Sequence, residues 1–109
     1  MNSEYSSPSA FVKRIDVPAG DMIPLSSNEV CGRHPYIADI YCPDINVSRT
    51  HCIIYCKGNF WFIRDLMTCK GTYVNGVKVT YTTPFRLKNG CKIHLGNPED
   101  DPNIYLFLN

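Results

Sequence analysis

Residues 51–63 have the sequence HCIIYCKGNFWFI, and this stretch decides the fold class. It contains two short runs of β-branched, aromatic and other apolar residues, which is the composition of β-strands. Residues 57–59, KGN, separate the two runs, and a short connection that contains glycine is typical of a β-hairpin. The stretch therefore predicts a hairpin with a three-residue loop between strands at 51–56 and 60–63.

Two further segments predict strands near the ends of the chain. Residues 11–17 alternate so that Phe11, Ile15 and Val17 fall on one face, which predicts an early strand with that face mostly apolar. Residues 104–108, IYLFL, are apolar on both faces. They predict a central strand that is buried on both sides.

Turn signals separate these short strands at regular intervals. Asn75-Gly76 and Asn89-Gly90 are tight-turn dipeptides, and eight prolines and seven glycines are spread along the chain. No segment keeps a helical period over three turns. The pattern favours an all-β sandwich or barrel, and 109 residues with no visible linker or repeat fit one domain.

Charge limits the classes of function. The formal net charge is only +1, whereas general nucleic-acid and membrane binders usually carry a basic excess. The aromatic run Phe60-Trp61-Phe62 is therefore interpreted as core rather than as a platform for stacking bases. Any binding of anions must come from a few placed residues.

The polar N-terminus and the six cysteines indicate the compartment. Residues 1–9 lack the apolar segment of a signal peptide, so we expect a reducing, intracellular environment. The same residues are Ser-rich and predict a flexible tail, with the folded domain at 10–109.

The spacing of the cysteines predicts neither a zinc site nor a disulfide. Structural zinc prefers close pairs such as Cys-x2-Cys, which this chain lacks. On one strand Cys52 and Cys56 would lie about 13 Å apart, too far for one metal ion or one disulfide. We expect no metal and no cofactor, and mostly buried cysteines that act as small apolar residues.

Three segments that fall in turns carry the chemistry. They are Gly32-Arg33, residues 47–51 (VSRTH) and residues 65–76 (DLMTCKGTYVNG). Loops at one end of a sandwich converge in space although they are distant in sequence. Together these loops would offer two arginines, a lysine and hydroxyl groups. That set suits a phosphate, because guanidinium groups bind phosphate oxygens in pairs and glycine-rich turns expose N–H groups.

In this order the motifs resemble the forkhead-associated (FHA) domain. The matching elements are Gly-Arg at 32–33, Ser-Arg-x-His at 48–51, Gly-Thr-Tyr-Val-Asn-Gly at 71–76, Asp39-Ile40 and Ile93-His94-Leu95-Gly96. The resemblance extends over residues 28–108. It implies a β-sandwich of two twisted, mostly antiparallel sheets with about eleven strands. It also implies that loops at one end bind phosphothreonine peptides.

The resemblance implies a role for each residue of the site. Arg33 would be the main phosphate ligand, Ser48 would donate its hydroxyl, and Arg49 would approach the phosphate with its side chain or backbone. Thr68 and Cys69 would line the pocket through hydroxyl and backbone groups. The residues that support the binding loops would be Gly32, His51, Gly71, Thr72, Asn75 and Gly76.

Lys70 departs from the family pattern, which has asparagine at this position. That asparagine holds the backbone of the bound peptide just after the phosphothreonine. A lysine has no acceptor and cannot make both amide contacts, but it can add charge toward the phosphate or an acidic peptide residue. Lys70 is therefore placed among the phosphothreonine-binding residues, with an altered preference for the residues that follow the phosphothreonine.

These observations predict a binding module for phosphothreonine-containing proteins or peptides, in signalling of the DNA-damage or cell-cycle type. We expect no direct contact with nucleic acid or membrane, and we include self-association through phosphorylated residues. By analogy with the family, the host would be a checkpoint-type Ser/Thr protein kinase and the location nuclear.

Three alternatives to this function remain to be compared with the sequence. A β-sandwich interaction domain that has lost phosphate recognition is favoured by Lys70, and a metal-binding domain is the weaker alternative. Catalysis is not expected, because Ser48 and His51 lack a third residue that would orient them as nucleophile and base.

Overall fold

The computed structural model describes residues 10–100 and 103–109, so the predicted tail at 1–9 lies outside the described residues. In this part of the chain all regular structure is β. The strands are β1 (Phe11–Arg14), β2 (Met22–Pro24), β3 (Asn28–Gly32), β4 (Ile40–Tyr41), β5 (Cys52–Lys57), β6 (Phe60–Asp65), β7 (Thr72–Val74), β8 (Val77–Val79), β9 (Phe85–Leu87), β10 (Lys92–Leu95) and β11 (Ile104–Leu108).

The strands form two sheets. One has six strands in the order β2-β1-β11-β10-β7-β8, and the other has five in the order β4-β3-β5-β6-β9. Neighbouring strands are antiparallel except for β3 and β4, which are parallel. The predicted all-β sandwich of two mostly antiparallel sheets is confirmed.

The predicted hairpin is β5–β6. Lys57 pairs with Phe60, so the loop has two residues, Gly58 and Asn59, and not three. Trp61 is buried, whereas Phe60 is 46 % exposed and Phe62 is half-buried on the outer face of the sheet. The interpretation of all three aromatic residues as core is therefore right for the tryptophan and wrong for the two phenylalanines, because successive strand residues point to opposite faces.

The other two tight turns have different roles. Asn75 and Gly76, with φ of 50° and 81°, connect the paired strands β7 and β8 as a two-residue turn. Asn89-Gly90 lies between β9 and β10, which belong to different sheets, so this turn carries the chain across the sandwich.

The prediction that Phe11, Ile15 and Val17 form an apolar face of the first strand is wrong. β1 ends at Arg14 and buries Val12, while Ile15 and Val17 are 38 % and 42 % exposed. The physical reason lies at the end of the strand. The Arg14 guanidinium donates to the Asp16 carboxylate, with Nε and Oδ1 2.8 Å apart. It also donates to the side-chain oxygen of Asn103, which is distant in sequence.

The last strand is central, as predicted, but its burial alternates. β11 lies between β1 and β10, and it buries Tyr105 and Phe107. Its other side chains are half-buried on the outer face, so the prediction of burial on both sides is wrong.

The core lies between the sheets and contains four of the six cysteines. Cys31 and Cys52 are paired across β3 and β5, and Cys42 and Cys91 are also buried. A hydrogen bond with Cys31, together with burial, raises the pKa of Cys52 well above its ordinary value, so it stays a neutral thiol. The buried core residues are Ala10, Val12, Leu25, Cys31, Ile40, Cys42, Val47, Cys52, Ile54, Trp61, Ile63, Val74, Val79, Leu87, Cys91, Ile93, Leu95, Tyr105 and Phe107.

All six cysteines are free. Within residues 10–100 and 103–109, no group of three or more His, Cys, Asp or Glu side chains is placed to hold a metal ion. The same residues include no helix long and apolar enough to cross a membrane.

Candidate functional site

Gly32-Arg33, residues 47–51 and the first part of the third predicted segment, residues 65–72, meet at one end of the sandwich. Cys31 pairs with Cys52, and Cys52 pairs with Asp65, so the end of β3, the start of β5 and the end of β6 lie in one row. β7 begins beside them, because the Thr72 hydroxyl donates to the Asp65 carboxylate across 2.7 Å. This hydrogen bond joins the two sheets where the loops emerge.

The first loop is bound to the second by its backbone. The Arg33 N–H donates to the Ser48 carbonyl at 2.9 Å, and the His34 N–H donates to the Arg49 carbonyl at 3.2 Å. A Cβ atom on Gly32 would collide with the Arg49 carbonyl oxygen. Gly32 is therefore required for the close approach of two backbones.

Within residues 10–100 and 103–109, one nitrogen of the Arg33 guanidinium makes a hydrogen bond and the other two do not. Its Nε donates to the Val47 carbonyl at 2.9 Å, which fixes the half-buried guanidinium against the second loop. Its two terminal nitrogens and the hydroxyl of Ser48 have no hydrogen-bond partner among the residues that the structure describes. Three donor groups on adjoining loops thus have their hydrogen-bonding capacity unused within that part of the chain.

His51 connects the second loop to the third. It is fully buried, its Nδ1 accepts from the Ser48 N–H at 3.1 Å, and its Nε2 lies 2.7 Å from the Gly71 carbonyl. Because a carbonyl can only accept, Nε2 carries the ring proton. Both ring nitrogens therefore bind backbone groups, and neither serves as a base for the Ser48 hydroxyl.

Asp65 organises the third loop. Its carboxylate is 5 % exposed and accepts from the Thr68 N–H at 2.9 Å, the Thr68 hydroxyl at 2.8 Å and the Thr72 hydroxyl. The sequence interpretation assigned no role to this residue. The available signal was the Asp-x-x-Thr spacing, since an aspartate commonly accepts from backbone groups of the turn that follows it.

The hydroxyl of Thr68 belongs to the loop itself. It donates to Asp65 and accepts from the Gly71 N–H at 2.9 Å. A hydroxyl has one proton, so Thr68 has no side-chain donor left for a ligand, contrary to the role that the resemblance implied. Gly71 has a φ of 85°, a conformation that glycine adopts without strain.

The exposed part of the third loop follows from this anchoring. Met67, with a φ of 61°, is 80 % exposed, and Cys69 and Lys70 are exposed as well. The hydrogen bonds of Thr68 on one side and of Gly71 on the other hold this backbone, so the tip is displayed on a fixed frame.

Asn75 and Gly76 lie at the other end of β7. The Asn75 N–H donates to the Lys92 carbonyl, its Oδ1 accepts from the Lys92 N–H at 2.9 Å, and its Nδ2 lies 3.6 Å from the Cys91 sulfur. These contacts fix the β7–β8 turn to β10. The structure thus does not bring this pair to the three loops that it was expected to support.

The site therefore has two layers. The inner layer is buried and hydrogen-bonded, and the outer layer contains donors and cations without a carboxylate partner. In the described part of the chain the only ion pair is Arg14–Asp16, at the end of β1. Such an arrangement suits an anion. The inner layer consists of His51, Asp65, Thr68 and Thr72, and the outer layer of Arg33, Ser48, Arg49, Cys69 and Lys70.

A family model described as the FHA domain matches residues 30–96, which is more than half of the chain. No curated protein matches this sequence at a significant level.

Several solved structures have the same fold. The crystal structure of the FHA domain of the CT664 protein from Chlamydia trachomatis is 25 % identical, with a TM-score of 0.80, over 92 % of this chain and 96 % of that one. An FHA domain from work on phosphothreonine-dependent FHA domain interactions is 26 % identical, with a TM-score of 0.78, over 93 % and 96 %. The FhaA FHA domain, complexed with the intracellular domain of Rv3910, is 27 % identical, with a TM-score of 0.76, over 91 % and 99 %.

Proposed function

Because this chain belongs to the FHA domain family, we propose that it binds phosphothreonine peptides at the loop end of the sandwich. The FHA domain is a binding module and not an enzyme. The observation that carries the proposal is the hydrogen bonding of the Arg33 guanidinium. Its Nε is fixed to the Val47 carbonyl, while its terminal nitrogens and the neighbouring Ser48 hydroxyl are unpartnered among the described residues.

The phosphate would be recognised by these groups together. The two terminal nitrogens of Arg33 donate to two phosphate oxygens, and the Ser48 hydroxyl donates to one of them. Each charge-assisted hydrogen bond contributes about 1.5–3 kcal/mol net. The anchor at Val47 reduces the side-chain entropy that Arg33 loses on binding, which strengthens the interaction.

The exposed residues around this centre would add charge and select the peptide. Arg49 and Lys70 are exposed cations that contribute a weaker, solvent-screened attraction for the dianion. Lys70 would also favour an acidic residue after the phosphothreonine. Cys69 would line the pocket, and Thr68 would act as a positioning residue, since its hydroxyl is used within the loop.

The alternative, a sandwich that has lost phosphate recognition, is not favoured. It rests on Lys70, but this side chain is exposed and makes no hydrogen bond with Arg33 or Ser48 among the described residues. A similar structure, from work on phosphothreonine-dependent FHA domain interactions, also supports a phosphate ligand. Another contains an FHA domain bound to a protein partner, which supports a role in protein–protein interaction.

Finer features of the function are part of the same proposal. The binding unit comprises residues 10–109, and the pathway is of the DNA-damage or cell-cycle type. The host is a Ser/Thr protein kinase in the nucleus, and the protein can self-associate through its own phosphorylated residues. Imaging of the tagged full-length protein, with and without DNA damage, tests the location and the pathway. A cytoplasmic signal that damage does not change would contradict them.

A phosphothreonine peptide library, screened beside its unphosphorylated counterpart, provides the ligand that tests the site itself. Titration of the selected peptide into isotope-labelled protein should shift the backbone NMR signals of Arg33, Ser48, Arg49, Cys69 and Lys70. The signals of Asn75 and Gly76, at the other end of β7, serve as the internal reference and should stay in place. Shifts confined to other parts of the sandwich would contradict the assignment.

A further inference from the structure

The outer face of the five-stranded sheet has an unusual composition. Outward positions alternate with buried ones along β5 and β6, and they carry rings and cations instead of the usual mixture of small polar residues. Tyr81, from the β8–β9 connection, lies against the same face. We call this surface the aromatic–arginine face. Its members are Tyr55, Phe60, Phe62, Arg64, Tyr81 and Arg86.

The rings and guanidinium groups of this face are in direct contact. Tyr55 and Phe62 are paired across β5 and β6, and their rings stack with centroids 5.6 Å apart. The Arg64 guanidinium carbon lies 5.7 Å from the Tyr55 ring centre and 5.0 Å from that of Tyr81. The Arg86 guanidinium carbon lies 3.7 Å from the Phe60 ring centre. Each ring therefore has one surface covered by another ring or by an arginine.

The charge of the face is one-sided. The outward positions of β3, β5, β6 and β9 contain Lys57, Arg64 and Arg86 but no aspartate or glutamate. Neither arginine has a carboxylate partner among the described residues. The Nε of Arg64 is buried and has no hydrogen-bond partner there either. An unused buried donor of this kind is costly unless an acceptor is supplied from outside.

We propose that the aromatic–arginine face is a second docking surface, and that it binds an acidic segment of a partner protein. A guanidinium in contact with a ring can still present N–H groups at its edge, and two such groups match the two oxygens of a carboxylate. Tyrosine and arginine are also the residues that most often dominate protein–protein interfaces. Because contact with the rings restrains both arginines in advance, they lose less conformational freedom when a carboxylate binds.

Carboxylates fit this surface better than nucleic acid does. Bases bind proteins by stacking on open ring surfaces, whereas one surface of each ring here is already covered, which reduces the area left for stacking. Phe60 is the most exposed phenylalanine of the face, and it has Arg86 above it. What remains available is the cationic edge of each guanidinium, flanked by apolar ring atoms.

The surface is separate from the phosphate loops. Cys52 and Asp65 mark the loop end of the β5–β6 hairpin, and Lys57 and Phe60 mark its opposite end. The two ends are about 16 Å apart for strands of this length. Arg64 is the member of the face nearest the loops, since it precedes Asp65, but it lies on the outer side of the sheet whereas Asp65 is buried. Binding at the Phe60 and Arg86 end of the face can therefore fail or persist without the phosphothreonine site.

NMR titration of the isotope-labelled protein tests the proposal. The probe is an unphosphorylated peptide that alternates glutamate with leucine, and the comparison peptide has glutamine in place of glutamate. A single-stranded oligothymidylate is the third ligand. The variants are Arg86→Gln and the double variant Arg64→Gln/Arg86→Gln. Lys78→Gln, which removes an exposed cation from β8 in the other sheet, is the matched control.

We expect the glutamate peptide to shift the signals of Tyr55, Phe60 and Phe62. Its affinity should fall about tenfold in Arg86→Gln, which is the loss of one charge-assisted pair, fall further in the double variant, and stay within about twofold in Lys78→Gln. Equal binding of the glutamine peptide would overturn the proposal. So would tighter binding of the oligothymidylate at this face, or self-association of the protein that depends on Arg86. An absence of shifts at the face would overturn it as well.

Discussion

The loop end and the aromatic–arginine face hold cations in two different ways. At the loop end, Arg33 is fixed by a hydrogen bond to a backbone carbonyl, and the loops behind it are fixed by buried His51 and Asp65. On the outer face, Arg64 and Arg86 are fixed by contact with aromatic rings. The first arrangement can be specific for one phosphate geometry, whereas the second offers a broader surface for carboxylates.

The two regions also differ in what their residues contribute to stability. The polar groups behind the loops are buried, so removal of one leaves its partners unsatisfied. The outer face is open to solvent, so the loss of one contact there costs little. Mutations can therefore separate the two regions, and the expected effects decrease from the buried histidine to the exposed lysine.

His51→Ala should have the largest effect. Without the imidazole, the Ser48 N–H loses its acceptor and the Gly71 carbonyl loses its donor, and both hydrogen bonds are made by a buried ring. We expect the free energy of unfolding to fall by about 3 kcal/mol and phosphopeptide binding to disappear. Chemical denaturation measures the stability. His34→Ala, a half-buried histidine at the same end, is the control and should lose less than about 1 kcal/mol.

Arg33→Ala should separate binding from stability. The substitution removes the terminal nitrogens proposed to bind the phosphate, so affinity for a phosphothreonine peptide should fall by about thirtyfold or more. Only one hydrogen bond, to Val47, is lost from the fold, which corresponds to about 1 kcal/mol. Calorimetric titration and denaturation of the same sample give both values. Unchanged affinity would remove Arg33 from the site.

Arg86→Gln should affect stability slightly and phosphopeptide binding not at all. The cation–π contact with Phe60 is exposed, and such contacts contribute about 0.5–1 kcal/mol. Denaturation curves of the variant and of the parent protein test this value. A large drop in phosphopeptide affinity would show that the two regions are coupled, and the separation drawn between them would be wrong.

Lys70→Asn should have the smallest effect, and it concerns selectivity. Asparagine can both donate to and accept from a peptide backbone, whereas lysine only donates. We expect the preference for an acidic residue after the phosphothreonine to weaken by a factor of about two to five, the range of an exposed charge pair. Peptide arrays with each residue at the following positions measure it. A profile identical to that of the parent protein would exclude Lys70 from peptide selection.

Local features of the fold could be predicted from the sequence. The β5–β6 hairpin and the Asn75-Gly76 turn depend on residues that are neighbours along the chain. The face of β1 could not be predicted, because the strand ends where Arg14 meets Asn103, a contact between distant segments. Likewise, alternation alone did not tell which of Phe60, Trp61 and Phe62 faces the core.

Most residues of the site could be predicted from the sequence, but their division into an inner and an outer layer could not. The motif order identified the three loops and the outer residues Arg33 and Ser48. It did not reveal that the Thr68 hydroxyl donates to the Asp65 carboxylate, because the direction of that O–H group depends on the folded loop. The open surface of Arg64 and Arg86 was also not foreseen, since net charge does not report where charges lie.

The central claim is that the loop end recognises a phosphate. Its most direct test is calorimetric titration of the parent protein with one library-selected peptide in two forms, with and without phosphate on its threonine. The account predicts that the phosphorylated form binds at least about tenfold more tightly, since several charge-assisted hydrogen bonds form only with it. Equal affinity of the two forms would contradict it.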